Sequence, residues 1–490
     1  MSKPGRDSSS SSSSLLLSFS LMKLTLSLSL FASLALVFLH IKPAPPQQYN
    51  INNNRNFILH NRTPVDAHPE ADTNISHIVF GIGGSAKNWK YRSRYTEVWW
   101  RPNVTRGFVW LDEPLNSTES YVPVRVSEDT SRFKFTCSYG SRSAVRIARI
   151  VLESFRMGME DARWFVMGDD DTVFFEENLV DVLSKYDHNQ MVYVGGNSES
   201  VEQDVIHSYG MAYGGGGFAI SYPLAKELVP VLDGCIDRYH YFYGSDERVG
   251  ACVAEIGVRT IHEPGFHQVD VRGSAYGLLS AHPTAPLISL HHLDYVEPLM
   301  PNKTREESVR DLHRAYKRDP ARALQQSVCY DLQRNWSVSV SWGYTVQIHN
   351  RLITGKELLT PLQTFRSWRS WSEGPFTFNT REESEDTCER EVRYFVSDVV
   401  GDGERTSSVY KRFDIEGERE GCGDGASLPK SVDVAAVKMD PLEWIKFKAP
   451  RRHCCEVINE REEETESSVL QVRIRRCKPG ESLTLPPEIS

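Results

Sequence analysis

A short apolar run that ends in three consecutive aspartates is the feature that most constrains the fold of this chain. Residues 164–167 have the composition of a buried strand, and Asp169, Asp170 and Asp171 follow after one glycine. A helical pattern precedes the run over residues 141–158, and another follows it over residues 176–185. Strands that alternate with helices form mostly parallel sheets, which place ligands beyond the carboxyl ends of their strands. We therefore predict an α/β fold with a functional site at the three aspartates.

The composition is that of a globular protein with a sizeable core. The chain has 490 residues, of which 40% are hydrophobic, and this length favours two or three domains. Its formal net charge of -9 gives no overall basic character with which to bind nucleic acid. We therefore expect no nucleic-acid partner.

The N-terminal segment predicts a membrane anchor. Residues 24–41 carry no charge and are just long enough to cross a bilayer, and the preceding residues 1–23 contain Lys3, Arg6 and Lys23. This arrangement predicts a cytoplasmic tail, a single transmembrane signal anchor and type II topology. A cleaved signal peptide is the alternative. In both cases the rest of the chain enters the secretory lumen, beginning with a Pro- and Asn-rich stem over residues 42–75.

Cysteines and glycosylation sequons agree with a lumenal location. All nine cysteines lie beyond residue 130, and their odd number leaves at least one that is free or paired outside the chain. Cys235 and Cys252 bracket a short loop, whereas the adjacent Cys454 and Cys455 are poorly placed to pair with each other. Six N-x-S/T sequons follow the predicted anchor, at Asn61, Asn74, Asn103, Asn116, Asn302 and Asn335.

The pattern of the chain changes near residue 300. Alternating strands and helices occupy residues 76–300, which we assign to the α/β domain, and a charged helical connector follows over residues 301–326. Beyond it, residues 327–490 show strand patterns separated by loops rich in Gly, Asp and Glu. We predict a separate β-rich module there, and a two-sheet sandwich is its suggested form.

The charge of the three aspartates needs a partner. Adjacent carboxylates at a strand end repel one another unless a cation holds them. Mg²⁺ or Mn²⁺ bound by one or two carboxylates keeps further positions for phosphate and water, as a nucleotide-sugar site requires. A solvated acidic turn that caps the following helix is the structural alternative.

Three further motifs lie downstream. Four glycines at residues 214–217 would let the backbone approach a ligand, although such runs also form flexible hairpins. Asp246 opens a helical stretch and offers either a general base or a helix cap. His291 offers an imidazole that would complete a mixed oxygen and nitrogen site suited to Mn²⁺, although a single histidine is more often structural.

Together, and in this order, these motifs resemble those of the Fringe-like β-1,3-glycosyltransferases, and among them the plant proteins of the DUF604 type. The resemblance covers residues 77–300 and rests on segments 164–172, 214–218, 246–250 and 290–293. It implies a GT-A-type catalytic domain over residues 76–300, a UDP-sugar donor, Mn²⁺ or Mg²⁺, and inversion at the anomeric carbon. The β-rich module resembles the plant group alone.

The resemblance also implies roles for individual residues. Asp169, Asp171 and His291 would bind the metal, and Asp246 would be the catalytic base. Two assignments stay open, because Glu247 follows Asp246 and a second histidine, His292, follows the first. The residues implied in binding the nucleotide-sugar are Arg92, Arg94, Asp112, Asp169, Asp170, Gly215, Gly216 and Gly217.

These implications combine into one expected function. The chain would be a Golgi-resident type II membrane enzyme that moves a hexose or N-acetylhexosamine from a UDP-sugar to an acceptor hydroxyl in β-1,3 linkage. The acceptor would be a glycan or glycoconjugate in the lumen.

Three other function classes fit parts of the sequence. Residues 81–86 match a dinucleotide-binding turn with Asp112 as the ribose-binding acid of an oxidoreductase, but the spacing is too long and the three aspartates stay unexplained. A glycosidase would also use two carboxylates, but nothing indicates two acids that flank a sugar. The non-enzymatic alternative is a lumenal, lectin-like protein with an inactive transferase domain, against which the intact Asp and His motifs argue.

Overall fold

The computed structural model describes residues 73–115, 120–414, 422, 428–446, 450–458 and 469–485. These residues belong to one compact unit, Ala71–Ser490. The predicted anchor, residues 24–41, and nearly all of the predicted stem lie outside the described residues. Among the helices of the described part, none combines the length and the apolar composition that a bilayer crossing requires.

The N-terminal half contains eleven strands and seven α-helices in the described residues. The strands are β1 (Ile78–Gly83), β2 (Arg106–Leu111), β3 (Val124–Val126), β4 (Trp164–Asp169), β5 (Val173–Phe174), β6 (Tyr193–Gly195), β7 (Phe218–Ser221), β8 (Thr260–His262), β9 (Phe266–His267), β10 (Val271–Gly273) and β11 (Ser289–Leu290). The helices are α1 (Ala86–Trp99), α2 (Ser143–Arg156), α3 (Glu176–Leu183), α4 (Val201–Ile206), α5 (Tyr222–Arg238), α6 (Ser245–Ile256) and α7 (Tyr276–Ser280).

Seven of these strands form the central sheet, in the order β3-β2-β1-β4-β7-β6-β8. All neighbours are parallel except β7, which runs antiparallel to both β4 and β6. The mostly parallel α/β sheet confirms the predicted fold class. The buried strand predicted over residues 164–167 is β4, and it continues through Asp169.

Both faces of the central sheet are buried. Phe80 and Ile82 of β1 belong to one hydrophobic cluster and Val79 to another, because successive side chains of a strand point to opposite faces. The cluster that contains Val79 also contains apolar residues of α2, α5 and α6. A disulfide between Cys235 and Cys252 joins α5 to α6.

Three short strands bring distant segments together at the end of β4. β11 pairs antiparallel with β5, which follows the three aspartates, and parallel with β9. The chain that leaves β9 continues through Gln268, and the chain that leaves β11 continues into His291. The predicted site segments therefore meet at the carboxyl end of β4.

The C-terminal half is β-rich, as predicted. Its helices are α8 (Arg305–Tyr316), α9 (Gly355–Leu358) and α10 (Leu442–Lys446). Its strands are β12 (Gln326–Asp331), β13 (Trp336–Ser341), β14 (Thr345–His349), β15 (Phe365–Ser367), β16 (Val392–Gly401), β17 (Arg405–Phe413), β18 (Ser431–Val437), β19 (Cys454–Ile458) and β20 (Val469–Arg475).

Eight of the C-terminal strands form one sheet in the order β12-β13-β14-β16-β17-β18-β20-β19, and only β18 and β20 pair in parallel. The suggested two-sheet sandwich was therefore wrong for the described residues. The physical reason lies at the two edges of the sheet, where Cys329 of β12 and Cys455 of β19 form a disulfide. The sheet therefore curls so that its own edges meet, and it does not stack on a second sheet.

The remaining cysteines settle the question raised by their odd number. Cys454 pairs with Cys477 and Cys388 with Cys422, while Cys137 is buried and free. The adjacent pair Cys454 and Cys455 is thus divided between two disulfides, in agreement with the expectation that these two cysteines do not pair with each other.

The two sheets share a hydrophobic core. One cluster of buried residues includes Phe80 and Phe174 of the N-terminal half together with Trp342, Tyr344 and Val472 of the C-terminal half. The β-rich half therefore packs directly against the α/β half.

Candidate active site

The strongest cluster of ligand atoms lies at the end of β4. Asp169, Asp171 and His291 place one carboxylate or imidazole atom each within 4.8 Å of one another. His291 Nε2 is 3.2 Å from Asp171 Oδ1 and 3.8 Å from Asp169 Oδ2. Two carboxylates and an imidazole form a donor set that suits Mn²⁺. The residues present therefore fit the cation that the sequence predicted.

Backbone hydrogen bonds fix the turn that carries the aspartates. The Asp169 N–H donates to Thr172 Oγ1 at 2.8 Å, and the Thr172 hydroxyl donates to the Gly215 carbonyl at 2.7 Å. The turn and the glycine run are thus joined directly. This contact brings together two motifs that lie 43 residues apart in the sequence.

The glycine run allows His291 to approach. A Cβ on Gly215 would lie 2.1 Å from His291 Cε1, so a side chain there would displace the imidazole. Gly217 has φ +86°, a left-handed conformation that favours glycine. The Gly216 N–H donates to Gln268 Oε1 at 2.6 Å. The predicted role of this run is thereby refined, because the close approach in the structure is to a side chain of the site.

The orientation of His291 suits a metal ligand. Its Nδ1 lies 3.2 Å from the Gln268 carbonyl oxygen, which requires a proton on that nitrogen and leaves Nε2 towards the aspartates. The ring of His292 instead places Nδ1 2.9 Å from Asp270 Oδ1. The structure therefore brings His291, and not His292, to the carboxylates of Asp169 and Asp171.

Burial and neighbouring charges shift the pKa values of the side chains in this cluster. Burial raises the pKa of Asp169 to about 6, and burial together with the Asp171 charge raises the pKa of Asp170 to about 7. Although burial opposes it, the Asp171 carboxylate raises the pKa of His291 to about 9. Burial also works to raise the pKa of Asp171, but the positive charges of His291 and Arg92 hold it below its ordinary value. Three carboxylates thus compete for few cations, which is the condition under which a divalent cation is favoured.

Arg92 is the one predicted nucleotide-binding arginine that reaches the cluster. Its guanidinium lies 3.2 Å from Asp170 Oδ1 and 2.5 Å from Asp171 Oδ2. The structure does not bring Arg94 there, because that side chain pairs with Glu306 at 3.1 Å. Asp112 accepts hydrogen bonds from the Ser85 hydroxyl and the Ala86 N–H, and so caps α1.

Asp246 and Glu247, the two candidates for the base, have different surroundings. Asp246 accepts a hydrogen bond from the Gly214 N–H at 2.9 Å and lines the same cleft as Asp169. Burial raises its pKa above the ordinary value. Glu247 accepts from the N–H groups of Tyr243 and Gly244, at 2.7 and 2.8 Å, and its Oε1 lies 2.8 Å from the imidazole of His207.

The surroundings of Glu247 lower its pKa. Burial opposes this shift, but the hydrogen bond from His207 and those from the backbone outweigh it. Glu247 therefore caps α6, while the Asp246 carboxylate faces the cleft with a raised affinity for a proton.

The cleft that joins these groups has a volume of about 580 Å³, within the usual range for small-ligand sites. Several of its lining residues escaped the sequence analysis, among them Asp270, Trp368 and Arg369. Asp270 had no distinguishing signal. The two others belong to the run Trp368-Arg-Ser-Trp371, which is conspicuous in the sequence but lies far from the other motifs.

Comparison with known families agrees with this arrangement. The family described as "Protein of unknown function, DUF604" matches residues 203–455, which is more than half of the chain. This chain belongs to the DUF604 family. A second match, to the family described as "Fringe-like", covers residues 75–275. The DUF604 protein is thus similar to the Fringe-like family over this part of its length, as the resemblance implied.

One curated relative is the beta-1,3-N-acetylglucosaminyltransferase lunatic fringe of Xenopus laevis. It is 25% identical over 185 residues, which cover 34% of the DUF604 chain and 46% of the relative. The chain therefore spans about half the length of the relative that it matches.

A similar solved structure is a glycosyltransferase involved in the glycosylation of the major capsid of PBCV-1. The alignment has 12% identity and a TM-score of 0.27, and it covers 47% of this chain and 96% of that one. At this TM-score the likeness supports no conclusion about the DUF604 protein.

Proposed function

We propose that this protein is an inverting, metal-dependent glycosyltransferase. It moves a hexose or N-acetylhexosamine from a UDP-sugar to an acceptor hydroxyl of a glycan or glycoconjugate, in β-1,3 linkage. The observation that carries the proposal is that Asp246 lines the same cleft as Asp169 and His291, which form a cation-type cluster with the buried Asp171. The Fringe-like match and the printed activity of the lunatic fringe relative support the same class.

Asp169, Asp171 and His291 would hold Mn²⁺ or Mg²⁺ at the end of β4. When bound, this cation offsets the negative charge that develops on the departing UDP. Arg92 holds the Asp171 carboxylate in place through its ion pair. The Gln268 carbonyl fixes the ring of His291 so that Nε2 faces the carboxylates.

Asp246 would be the general base. The acceptor oxygen attacks the anomeric carbon from the face opposite to UDP, the bond between that carbon and the diphosphate oxygen breaks, and the acceptor proton passes to Asp246. A carboxylate with a raised pKa is a better proton acceptor than an ordinary one. The Gly214 N–H holds the carboxylate in its position in the cleft. Glu247 would not share this role, because backbone groups and His207 occupy its oxygens.

We place this activity in the Golgi lumen, with residues 24–41 as the signal anchor of a type II membrane protein. The uncharged segment and the preceding basic residues support the anchor. The four disulfides support an oxidising compartment.

The test is release of UDP by the full-length chain in detergent, over a panel of UDP-sugars with Mn²⁺, beside Asp171→Asn. We expect UDP release with one or a few donors, lost on chelation of the metal and lost in the variant. Binding of Mn²⁺ and UDP is measured by calorimetry in parallel. If the unmodified protein bound neither Mn²⁺ nor UDP, the transferase proposal would fail. Glycan binding that survives in that case would favour the lectin-like alternative.

A further inference from the structure

The C-terminal half contributes one wall of the cleft. β15 pairs antiparallel with β10, so that Ser367 lies opposite Val271. The chain then forms a loop over residues 367–372, here called the 368 loop, whose Trp368 and Arg369 line the cleft. This loop lies outside the Fringe-like match and inside the DUF604 match. Any role of this loop would therefore be a feature of the DUF604 match and not of the Fringe-like match.

The 368 loop is fixed at Trp368. Its ring stacks on His292 with centroids 4.2 Å apart and planes 6° from parallel. The guanidinium of Arg272 lies 3.8 Å from the Trp368 ring centroid, and Arg272 Nε donates to the Trp368 carbonyl at 3.2 Å. The loop is also tied to α4, because the Ser370 N–H donates to Glu202 Oε2 at 3.3 Å. Arg369 lies between these two anchored residues.

Arg369 carries a positive charge with no counter-ion in the described part of the chain. It is exposed, and no described carboxylate lies within ion-pair distance of its guanidinium. Other arginines near the cleft form ion pairs within the protein; Arg92, for example, pairs with Asp170 and Asp171. Among the described residues, the guanidinium of Arg369 is therefore available to a ligand in the cleft.

Arg369 lines the same cleft as Asp246, the residue proposed as the base. Tyr139 and Tyr243 line this cleft as well. The Tyr139 ring stacks on Tyr243 at 5.8 Å, and Tyr243 precedes Asp246 by three residues. A group that Arg369 binds would therefore lie in the cleft that contains the base.

We propose that Arg369 binds an anionic substituent of the acceptor, so that the acceptor is an acidic carbohydrate such as a uronic-acid-containing glycan. The inference rests on the proposed transferase function and adds the class of acceptor to it. A guanidinium presents a planar fork of N–H donors that matches a carboxylate in two parallel hydrogen bonds. The donor diphosphate carries the same kind of charge, so the test must separate the two sources.

The experiment uses the full-length chain in detergent, saturated with UDP and Mn²⁺. Methyl β-D-glucuronide and methyl β-D-glucoside, which differ by one carboxylate, are titrated against it by saturation-transfer NMR. The variant is Arg369→Gln, and the matched control is Arg366→Gln, an exposed arginine on β15 that does not line the cleft. The affinity for UDP with Mn²⁺ is measured by calorimetry for each protein.

We expect the unmodified protein and the Arg366→Gln control to bind the glucuronide about tenfold more tightly than the glucoside, which is the effect of one charge-assisted hydrogen bond or slightly more. In Arg369→Gln this preference disappears while the affinity for UDP stays the same. The proposal is overturned if the unmodified protein shows no preference for the glucuronide, or if the preference survives in Arg369→Gln. Weaker UDP binding in Arg369→Gln would assign the guanidinium to the donor diphosphate and would also overturn it. Failure of the unmodified protein to bind UDP is a separate result that removes the transferase function itself.

Discussion

The two halves of the molecule each contain a cavity lined by acidic residues, but the acidic side chains of the two cavities have different partners. At the end of β4, Asp169, Asp170 and Asp171 compete for Arg92 and His291. A second cavity, of about 340 Å³, lies in the β-rich half. Its charged and imidazole lining residues are Glu357, Glu382, Glu383, Glu385, Glu389, Glu391, Arg351, Arg381, Arg390 and His349.

In the second cavity, three of the acidic side chains, those of Glu383, Glu389 and Glu391, pair with arginines. Arg393 pairs with both Glu383 and Glu391, and Arg351 Nη1 lies 3.8 Å from Glu389. The difference teaches that a cavity with carboxylates is not by itself a site. Chemistry is expected where carboxylates and an imidazole bring their ligand atoms within 4.8 Å of one another, as Asp169, Asp171 and His291 do. Substitutions should therefore affect activity in the first half and stability in the second.

The largest expected effect is on turnover in the first half. Asp246→Asn removes the proton acceptor, and we expect kcat to fall by a factor of about 10²–10⁴, the usual contribution of a general base. UDP release at saturating donor and acceptor measures this. The comparison variant is Glu383→Gln in the second cavity, which should leave kcat unchanged. Equal losses in both variants would erase the distinction between the two cavities.

The next effect is on the stability of the second half. The disulfide between Cys329 and Cys455 spans 126 residues and joins the edge strands of the eight-stranded sheet. Replacing both cysteines by serine should lower the free energy of unfolding by about 2–5 kcal/mol, because a long loop is no longer constrained. Denaturant unfolding followed by fluorescence measures it, and kcat at 20 °C, far below the unfolding transition, serves as the control. A large loss of kcat without loss of stability would show that the sheet acts on the site.

A smaller effect is expected at the start of α6. Glu247→Ala removes the acceptor for two backbone N–H groups, so stability should fall by about 0.5–2 kcal/mol while kcat changes little. Thermal unfolding and kcat are measured together. Glu247→Gln keeps the capping geometry and should restore stability. A loss of kcat in Glu247→Gln as large as that in Asp246→Asn would make Glu247 the base.

The ion pair between His207 and Glu247 should make the stability of the protein depend on pH. His207 has a raised pKa, because the Glu247 carboxylate outweighs the effect of its burial. The stabilisation that the His207–Glu247 ion pair gives is therefore complete below about pH 6.5, the pKa of a histidine in the unfolded chain. It is lost as pH rises through the higher pKa of His207 in the folded protein. The stability difference between the unmodified protein and His207→Gln should thus shrink from pH 6 to pH 9, by less than about 1 kcal/mol. A difference that is constant over this range would show that the pair is not ionic.

The smallest effect is expected at Arg94. Its ion pair with Glu306 is largely exposed, with 54% of the arginine side chain accessible. Arg94→Ala should change stability by no more than about 0.5 kcal/mol and should leave both kcat and the affinity for UDP unchanged. Calorimetry with UDP and Mn²⁺ checks this. Weaker UDP binding would return Arg94 to the nucleotide-binding role that the sequence suggested.

Much of the site could be predicted because each of its motifs is local. An apolar strand ending in aspartates predicts a strand end with a ligand, and the run of glycines predicts a close approach. The order of the aspartates, glycines, Asp246 and His291 was enough to suggest the family. The choices between adjacent residues could not be predicted, because Asp246 and Glu247, like His291 and His292, differ only in which neighbours the fold gives them.

The sequence by itself determined the α/β class, the position of the aspartates at the end of β4 and the β-rich character of the second half. Periodicity and residue type act over a few residues, and these features depend on nothing longer. Only the tertiary structure decided that Glu247 caps a helix, that Arg94 points elsewhere, and that the C-terminal strands close into one curled sheet. It also decided that Trp368 and Arg369 line the cleft, since the pairing of β15 with β10 joins segments about 95 residues apart. Such long-range pairing depends on the packing of the whole core, which no local pattern contains.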